Sequence, residues 1–378
     1  MERIQKVLDG FVEKGMAAGT SVLIYHRGEE AFFGAAGKRR IDGSEPFARD
    51  TMMLMYSMTK VVTAVAVMTL MEKGCFAPDT PVYELIPEYR NITVLREDSS
   101  ITPAARPLTI EHLLTMTSGI PYPGPGVAVS PYYQKVMTEH KGEVTTLEMA
   151  RMTAQCPLCF DPGEKWLYGL SADILGGIVV AATGEELSAY MKRTILDPLG
   201  MKDTHFMVPE EKRGRLAGLY DMAGDGQFAV RRDMNETFGD LGIDKVEMGG
   251  AGLFSTLDDF MRFGEMLRKG GEGIVSPEMI RRMSENHLNQ PQLDTFWETD
   301  RGFGYGWLVR TMMHPEMNTF GPESTGSFGW NGMGGTSLRI DPARELTVVY
   351  GIQRVPSQHD RFIPPLMNAI SEVWPVTK

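Results

Sequence analysis

Ser57 and Lys60 form the only S-x-x-K sequence in the chain. Residues three apart on a helix share a face, so the lysine amine is expected one turn from the serine hydroxyl. The flanking residues 52–56 and 61–71 are nearly all apolar, which predicts a buried helix and a desolvated lysine. Burial disfavours the ammonium form, so we expect a lowered pKa for Lys60 and a neutral amine that acts as general base for a Ser57 nucleophile. The alternative is a structural lysine whose stem packs while its amine reaches water.

Acyl transfer to a serine also needs hydrogen-bond donors for the oxyanion. If Ser57 begins a helix, its own backbone N–H is one unpaired donor, and the second must come from elsewhere in the chain. Other enzyme signatures are absent: no G-x-S-x-G, no H-E-x-x-H and no G-x-x-x-x-G-K-[ST] occurs. Cys156 and Cys159 have the spacing of half a zinc site, but no histidine pair completes it, so neither a metal nor a cofactor is expected and two reduced cysteines are the simpler interpretation.

Both ends of the chain predict strands and helices of one sheet. Residues 2–15 have helical apolar spacing, the runs 21–25 and 31–35 predict a hairpin, the runs 336–340 and 346–350 predict a second one, and 362–374 predict a helix. The middle is helical in pattern at 110–116, 146–155, 171–182 and 187–195. We therefore predict a discontinuous α/β part, residues 1–78 and 245–378, and a mainly helical part, residues 79–244.

Composition limits the partners. The chain of 378 residues is 42% hydrophobic and 23% charged, and 38 basic against 49 acidic residues give a net charge of −11. Such a balance disfavours nucleic acid, and the most apolar stretch, around Thr51 to Met71, is too polar for a membrane span. Three cysteines and an N-terminal sequence unlike a secretory signal predict a cytoplasmic protein. The acyl-serine chemistry expected of Ser57 makes a small-molecule acyl substrate the expected partner. The oligomeric state is not predicted.

Six segments in order resemble the β-lactamase-type serine hydrolases, a family that spans class C β-lactamases, penicillin-binding proteins, D-amino peptidases and family VIII carboxylesterases. The segments are SMTK at 57–60, LLTMTSG at 113–119, YGLSADILG at 168–176, PLGMKDT at 198–204, GAGLFSTLDDF at 250–260 and GWNG at 329–332. The resemblance covers nearly the whole chain. It implies an α+β fold of the β-lactamase/transpeptidase type, with a central antiparallel sheet flanked by helices, a mainly helical subdomain, and the active site between them.

The resemblance also implies roles. Ser57 is the acylated nucleophile, Lys60 its base, and Tyr168 the tyrosine that shares proton transfer and serves the leaving group. Without the resemblance, an aromatic residue beside Trp166 and Leu167 is more typical of a core. The third motif falls at Trp330, Asn331 and Gly332, and the N–H of the next residue, Met333, supplies the second oxyanion donor, with Gly332 allowing close approach.

Two departures from the family pattern indicate the substrate. Penicillin-directed members usually begin the third motif with a lysine that attracts a carboxylate, whereas this chain has Trp330. Leu170 occupies the position of the asparagine that normally helps to hold the acyl-side amide. Both changes favour neutral esters and resemble the family VIII esterase branch, although Arg339 on the following strand would restore a cation.

The sequence thus predicts a carboxylesterase that works through a covalent acyl-serine. β-Lactamase or D-amino peptidase activity and acyl transfer at the same site remain alternatives. A different class of function is a non-catalytic ligand-binding member of the fold. The sequence also predicts an apolar, deformable acyl pocket lined by methionines close to the site, namely Met52, Met53, Met55, Met58 and Met333.

Overall fold

The computed structural model describes residues 1–141, 143–222, 228–231 and 245–376. The strands are β1 Gly19–His26, β2 Glu29–Gly37, β3 Met53–Leu54, β4 Thr93–Leu95, β5 Ile101–Pro103, β6 Tyr220–Met222, β7 Phe228–Val230, β8 Phe254–Ser255, β9 Phe303–Tyr305, β10 Arg310–Met312, β11 Phe328–Asn331, β12 Ser337–Asp341, β13 Leu346–Ile352 and β14 Arg354–Val355. The helices are α1 Glu2–Glu13, α2 Thr59–Glu72, α3 Ile110–Leu114, α4 Ser130–Glu139, α5 Thr146–Thr153, α6 Ser171–Thr183, α7 Leu187–Met191, α8 Leu257–Arg268, α9 Pro277–Ser284, α10 Gln290–Leu293 and α11 His359–Val373.

Strands from both ends of the chain form one antiparallel sheet in the order β2-β1-β13-β12-β11-β10-β9. Strand β1 pairs with β13 from Thr20 opposite Ile352 to His26 opposite Leu346, so strands from the two ends of the chain are neighbours inside the sheet. Every residue of β13 is buried, as expected for a central strand covered on both faces. The predicted fold class, a central antiparallel sheet with flanking helices, is confirmed.

Helices pack on this sheet through their apolar faces, and one of them comes especially near the sheet at a glycine. Helix α1 buries Ile4, Leu8 and Phe11 and packs on β2 and on α11. Helix α8 packs on β12 and β13, and a Cβ added to Gly264 would lie 2.8 Å from Thr347, so the glycine sets how near this helix comes. The terminal helix begins earlier than predicted, at His359.

Helix α2 is buried along almost its whole length, from Thr59 to Met71, which matches the nearly continuous apolar sequence. Helices α6 and α7 pack against it, and α3 and α5 pack on α6. The helical reading of residues 52–56 is wrong, because Met53 and Leu54 pair with Ser255 and Phe254 as a short strand. The predicted division at residues 78 and 245 stays a prediction. Within the described residues, no helix has the length and apolarity needed to cross a membrane.

Candidate active site

Ser57 lies at the start of the buried helix, where the sheet and the helices meet. It belongs to a short 3-10 turn, Tyr56–Met58, that leads directly into α2. Its hydroxyl oxygen lies 3.1 Å from the Nζ of Lys60, one turn further along. Lys60 is fully buried, whereas Ser57 is half-buried and lines a cavity of about 470 Å³, which we call the catalytic cavity. The serine is therefore reachable by substrate while the amine beside it is shielded from water.

The Lys60 amine has two further partners. Its Nζ donates to the carbonyl of Gly250 at 2.6 Å and to the hydroxyl of Tyr122 at 3.0 Å. Together with Ser57, these acceptors match the three N–H donors of an ammonium ion. Tyr122 is absent from the predicted site. It stands between two prolines in the loop 121–126, and no sequence spacing connects it with Lys60.

The pKa of Lys60 results from opposing effects. Burial lowers it, whereas Tyr122, Tyr168 and Asp173 raise it, and the net pKa lies above the usual lysine value. The prediction of a lowered pKa is therefore wrong, because it considered burial without the groups that folding brings near the amine. Lys60 is an ammonium ion at neutral pH in the unliganded site, and the fraction of neutral base increases as the pH rises.

Asp173 of α6 positions Gly250, the residue whose carbonyl oxygen accepts a hydrogen bond from Lys60. Its Oδ1 accepts the Gly250 N–H at 2.9 Å, while its Oδ2 has no hydrogen-bond partner among the described residues. Burial raises the pKa of this carboxyl group. A Cβ added to Gly250 would lie 2.5 Å from Oδ2, so glycine is needed for this approach. The segment GAGLFSTLDDF at 250–260 thus anchors the Lys60 amine through a backbone carbonyl, a role that no side-chain pattern reveals.

Tyr168 faces the same amine with its ring. Lys60 Nζ lies 4.7 Å from the centre of that ring, and the Tyr122 ring packs edge-on at 5.6 Å. The Tyr168 hydroxyl accepts a hydrogen bond of 3.1 Å from the indole N–H of Trp330. A Cβ on Gly169 would lie 2.0 Å from the Ile120 carbonyl, so this glycine lets the two tyrosine loops meet.

The third motif closes over the residues that precede Ser57. A Cβ on Gly332 would lie 2.3 Å from the carbonyl oxygen of Met55 and 2.2 Å from Thr336 Oγ1, so only glycine fits between them. Among the described residues, the Met333 N–H has no hydrogen-bond partner, as an oxyanion donor requires. The Met333 side chain is 45% exposed at the rim of the catalytic cavity.

Asn331 lines the catalytic cavity, and its side chain is fixed by hydrogen bonds from two residues of strand β12. Its Oδ1 accepts from Ser337 Oγ and from Arg339 Nη1, both at 2.9 Å. Arg339 itself is buried, lies 3.3 Å from Glu323, and is not among the cavity-lining residues. The described structure therefore does not place Arg339 as the cation that replaces the missing lysine.

Residues beyond the predicted set complete the wall. Trp297 is 53% exposed and packs edge-on against Tyr168 at 4.9 Å. Glu298 lines the cavity and pairs with buried Arg310 at 2.8 Å. His359 also lines it, and burial lowers the pKa of its imidazole to about 3, so the ring is neutral. These residues follow no motif, and their convergence depends on the fold.

The predicted methionine pocket is only partly correct. Met52, Met53, Met55 and Met58 are at most 1% exposed and belong to the core, so Met333 alone of that set lines the catalytic cavity. Burial in the core keeps these four side chains out of the cavity wall. Among the described residues, no group of three or more His, Cys, Asp or Glu side chains is arranged to hold a metal ion.

Comparisons with known proteins agree on the family. The Beta-lactamase family model matches residues 4–370. Protein Rv1367c of Mycobacterium tuberculosis is 32% identical over 367 residues, which cover 91% of this chain and 88% of that protein. Esterase EstB of Burkholderia gladioli is 28% identical over 364 residues, which cover 92% and 88%.

A solved structure shows the same fold. EstCE1, described as a hydrolase with promiscuous acyltransferase activity, superposes with a TM-score of 0.83 at 24% identity, covering 98% of this chain and 97% of that one. The family match spans the serine, the lysine, the tyrosine and the third motif described above. The chain belongs to the Beta-lactamase family, as the six ordered segments predict.

Proposed function

We propose that this protein is a carboxylesterase that forms a covalent acyl-serine on small neutral esters. The observation that carries the proposal is the 3.1 Å contact of Ser57 Oγ with a buried Lys60 amine, at the wall of a cavity whose third motif begins with Trp330. The prediction of a β-lactamase-related serine hydrolase is confirmed by the family match and by the relationship to an esterase. The roles of the individual residues are our proposal.

The first half of the reaction acylates the enzyme. Neutral Lys60 takes the Ser57 proton, and the serine oxygen forms a bond with the ester carbonyl carbon. The N–H groups of Ser57 and Met333 donate to the resulting oxyanion. The carbon–oxygen bond to the alcohol then breaks, and Tyr168, together with the Lys60 ammonium ion, supplies the proton that the leaving alkoxide takes up.

The second half releases the acid. Water adds to the acyl-serine carbonyl as Lys60 accepts one of its protons, and the same oxyanion donors stabilise the tetrahedral intermediate. The bond to Ser57 breaks and the serine oxygen recovers its proton from Lys60. Tyr122 and Gly250 keep the amine in place through both halves.

The aromatic wall supports the choice of a neutral ester. Trp330 contributes an indole whose N–H is already bonded to Tyr168, and it cannot offer the charge that a lysine gives to a substrate carboxylate. The cation nearest the third motif, Arg339, is buried and bonded to Asn331. We expect a small-molecule acyl substrate, and neither nucleic acid nor a membrane, as the partner.

We also propose a cytoplasmic location. The three cysteines, Cys75, Cys156 and Cys159, are all unpaired in the structure, as is usual in a reducing compartment. Burial raises the pKa of the Cys156 thiol to about 12, which keeps it protonated and inert. Fractionation of cells that express the chain tests this location, and recovery with secreted protein contradicts it.

Parallel turnover of p-nitrophenyl butyrate and nitrocefin tests the proposed function. We expect kcat/KM to be higher for the ester, and turnover of both to disappear in Ser57→Ala. Ser371→Ala, in the terminal helix and outside the cavity lining, is the matched control and should retain activity. Nitrocefin turnover faster by tenfold or more assigns the site to β-lactams instead. Butyryl transfer to added alcohol that outpaces hydrolysis assigns it to acyl transfer.

A further inference from the structure

A second cavity lies beside the catalytic one. It has a volume of about 320 Å³, and the catalytic cavity shares Tyr122 and Met248 with it as wall residues. Since the Tyr122 hydroxyl lies 3.0 Å from the Lys60 amine, this second space begins one side chain away from the reacting serine. We call it the methionine-lined cavity, after Met137, Met149, Met152 and Met248.

The wall of this cavity suits a hydrocarbon chain. Besides the methionines it includes Val136 and Val246. Of its two carboxylates, Glu247 accepts the Ser188 N–H at 2.7 Å and Asp173 accepts the Gly250 N–H through Oδ1, while Asp173 Oδ2 has no hydrogen-bond partner among the described residues. Thioether side chains are flexible and polarisable, so they adapt to a chain of variable length.

The volume of the cavity indicates how large a guest it can hold. An engineered cavity of about 150 Å³ in another protein holds benzene, a guest with six carbons. The methionine-lined cavity, at about 320 Å³, is larger than that. A chain of about six carbons or more therefore fits, which is longer than acetyl or butyryl groups require.

We propose that the methionine-lined cavity binds the acyl chain of the substrate, an unbranched aliphatic chain of about six carbons or more. This inference rests on the proposed esterase function and names its substrate class. The chain runs from the carbonyl at Ser57 along the Tyr122 ring and ends between Met149 and Met152. The methionine pocket thus lies on the helical side of the site, and not among the residues around Ser57 in the sequence.

The occupant is the acyl chain and not the alcohol. The alcohol leaves first, and the Tyr168 hydroxyl that serves it is bonded to Trp330 near the exposed Trp297. That side of the catalytic cavity is open to water. The acyl group stays on Ser57 until water arrives, so the apolar space beside Tyr122 suits it.

Two series of esters test the inference. In the first, p-nitrophenyl esters from acetate to octanoate vary the acyl chain, and we expect kcat/KM to rise about fourfold for each added methylene until the cavity is full. In the second, alkyl acetates vary the alcohol, and we expect no comparable rise. A flat first series, or a steeper second one, overturns the inference.

Variants locate the effect. Met152→Phe fills the cavity and should reduce the octanoate-to-acetate ratio of kcat/KM at least tenfold while acetate turnover changes little. Met137→Trp, at a side chain that is 38% exposed, provides a second obstruction that does not disturb the core. Met317→Trp, also exposed and outside the cavity lining, is the matched control. An unchanged ratio in both cavity variants contradicts the inference.

A binding measurement separates this inference from the catalytic proposal. Ser57→Ala protein has no nucleophile, yet it should bind 1-octanol in calorimetry, and adding Met152→Phe or Met137→Trp should abolish that binding. Binding that survives both substitutions, or no binding at all, overturns the inference. If the native protein does not hydrolyse esters but the Ser57→Ala protein still binds 1-octanol, the catalytic proposal alone is overturned.

Discussion

The indole N–H of Trp330 donates a hydrogen bond of 3.1 Å to the hydroxyl of Tyr168. This contact joins the third motif to the tyrosine proposed to serve the leaving group. The two rings pack at 5.7 Å, and Tyr305 packs edge-on against the same indole at 5.3 Å. Trp330, which in the sequence stands for the loss of a lysine charge, thus holds the hydroxyl of the tyrosine that we propose as proton donor.

Replacing Trp330 by Phe removes that hydrogen bond and keeps most of the ring packing. A typical hydrogen bond contributes about 0.5–1.5 kcal/mol, so we expect kcat for p-nitrophenyl butyrate to fall about two- to tenfold at nearly constant KM. Trp297→Phe is the matched control, because Trp297 packs edge-on against the same tyrosine, and its kcat should stay within twofold. Equal losses in the two variants would show that bulk, and not the hydrogen bond, matters.

Replacing Tyr122 by Phe removes one of the partners of the Lys60 amine. Tyr122 also raises the pKa of Lys60, so kcat for p-nitrophenyl acetate is compared on the alkaline plateau of each pH profile, where a misplaced amine predicts a loss of about 10- to 100-fold. The acetyl group is too short to extend into the methionine-lined cavity, so changes in that cavity do not affect this measurement. Tyr132→Phe, in the neighbouring helix and outside both cavity linings, should have no effect. Activity within twofold of the native enzyme contradicts the role given to Tyr122.

The pH dependence follows from the raised pKa of Lys60. A base whose pKa lies above its usual value is mostly protonated at neutral pH, so kcat/KM should rise with pH from 7 into the alkaline range. Asp173→Asn removes one of the groups that raise this pKa, so it should move the profile toward lower pH. A native profile already level at pH 7, or an unmoved profile in a folded Asp173→Asn variant, contradicts this account.

Gly332 tests the oxyanion site without changing a reactive side chain. Its Cβ in Gly332→Ala meets the Met55 carbonyl and Thr336 Oγ1, so the third motif must move away from Ser57. Loss of one oxyanion donor costs about 10²–10³ in kcat, and we expect a loss of that size. Gly10→Ala is the control, because its Cβ meets nothing within 4 Å in helix α1. Full activity in Gly332→Ala rules out the proposed donor.

Local sequence patterns predicted the parts of the fold that local forces decide. The amphipathic spacing of residues 2–15 and the hairpin runs near both ends correspond to α1, β1, β2, β12 and β13 with shifts of a few residues at their ends. The short strand Met53–Leu54 is not predicted, because no glycine or proline separates it from α2 to mark a boundary between the two elements. Its partner, Phe254–Ser255, is about two hundred residues away, and no local pattern encodes that pairing.

The candidate active site likewise has a part that local sequence predicts and a part that depends on tertiary packing. Ser57 and Lys60 are three residues apart, so helical geometry alone brings them together. Tyr122 and Gly250 reach the same amine from 62 and 190 positions away, and only tertiary packing places them there. The pKa of Lys60 was predicted with the wrong sign for this reason, since the groups that raise it are distant in sequence.

The most direct test of the central claim is the intact mass of the protein after reaction with an alkyl fluorophosphonate. The Ser57 oxygen should displace fluoride and leave the protein heavier by one phosphonyl group, and Ser57→Ala should remain unmodified. Peptide mapping should place the group on Ser57. An unmodified native protein, or an adduct that persists in Ser57→Ala, contradicts the assignment of Ser57 as the nucleophile.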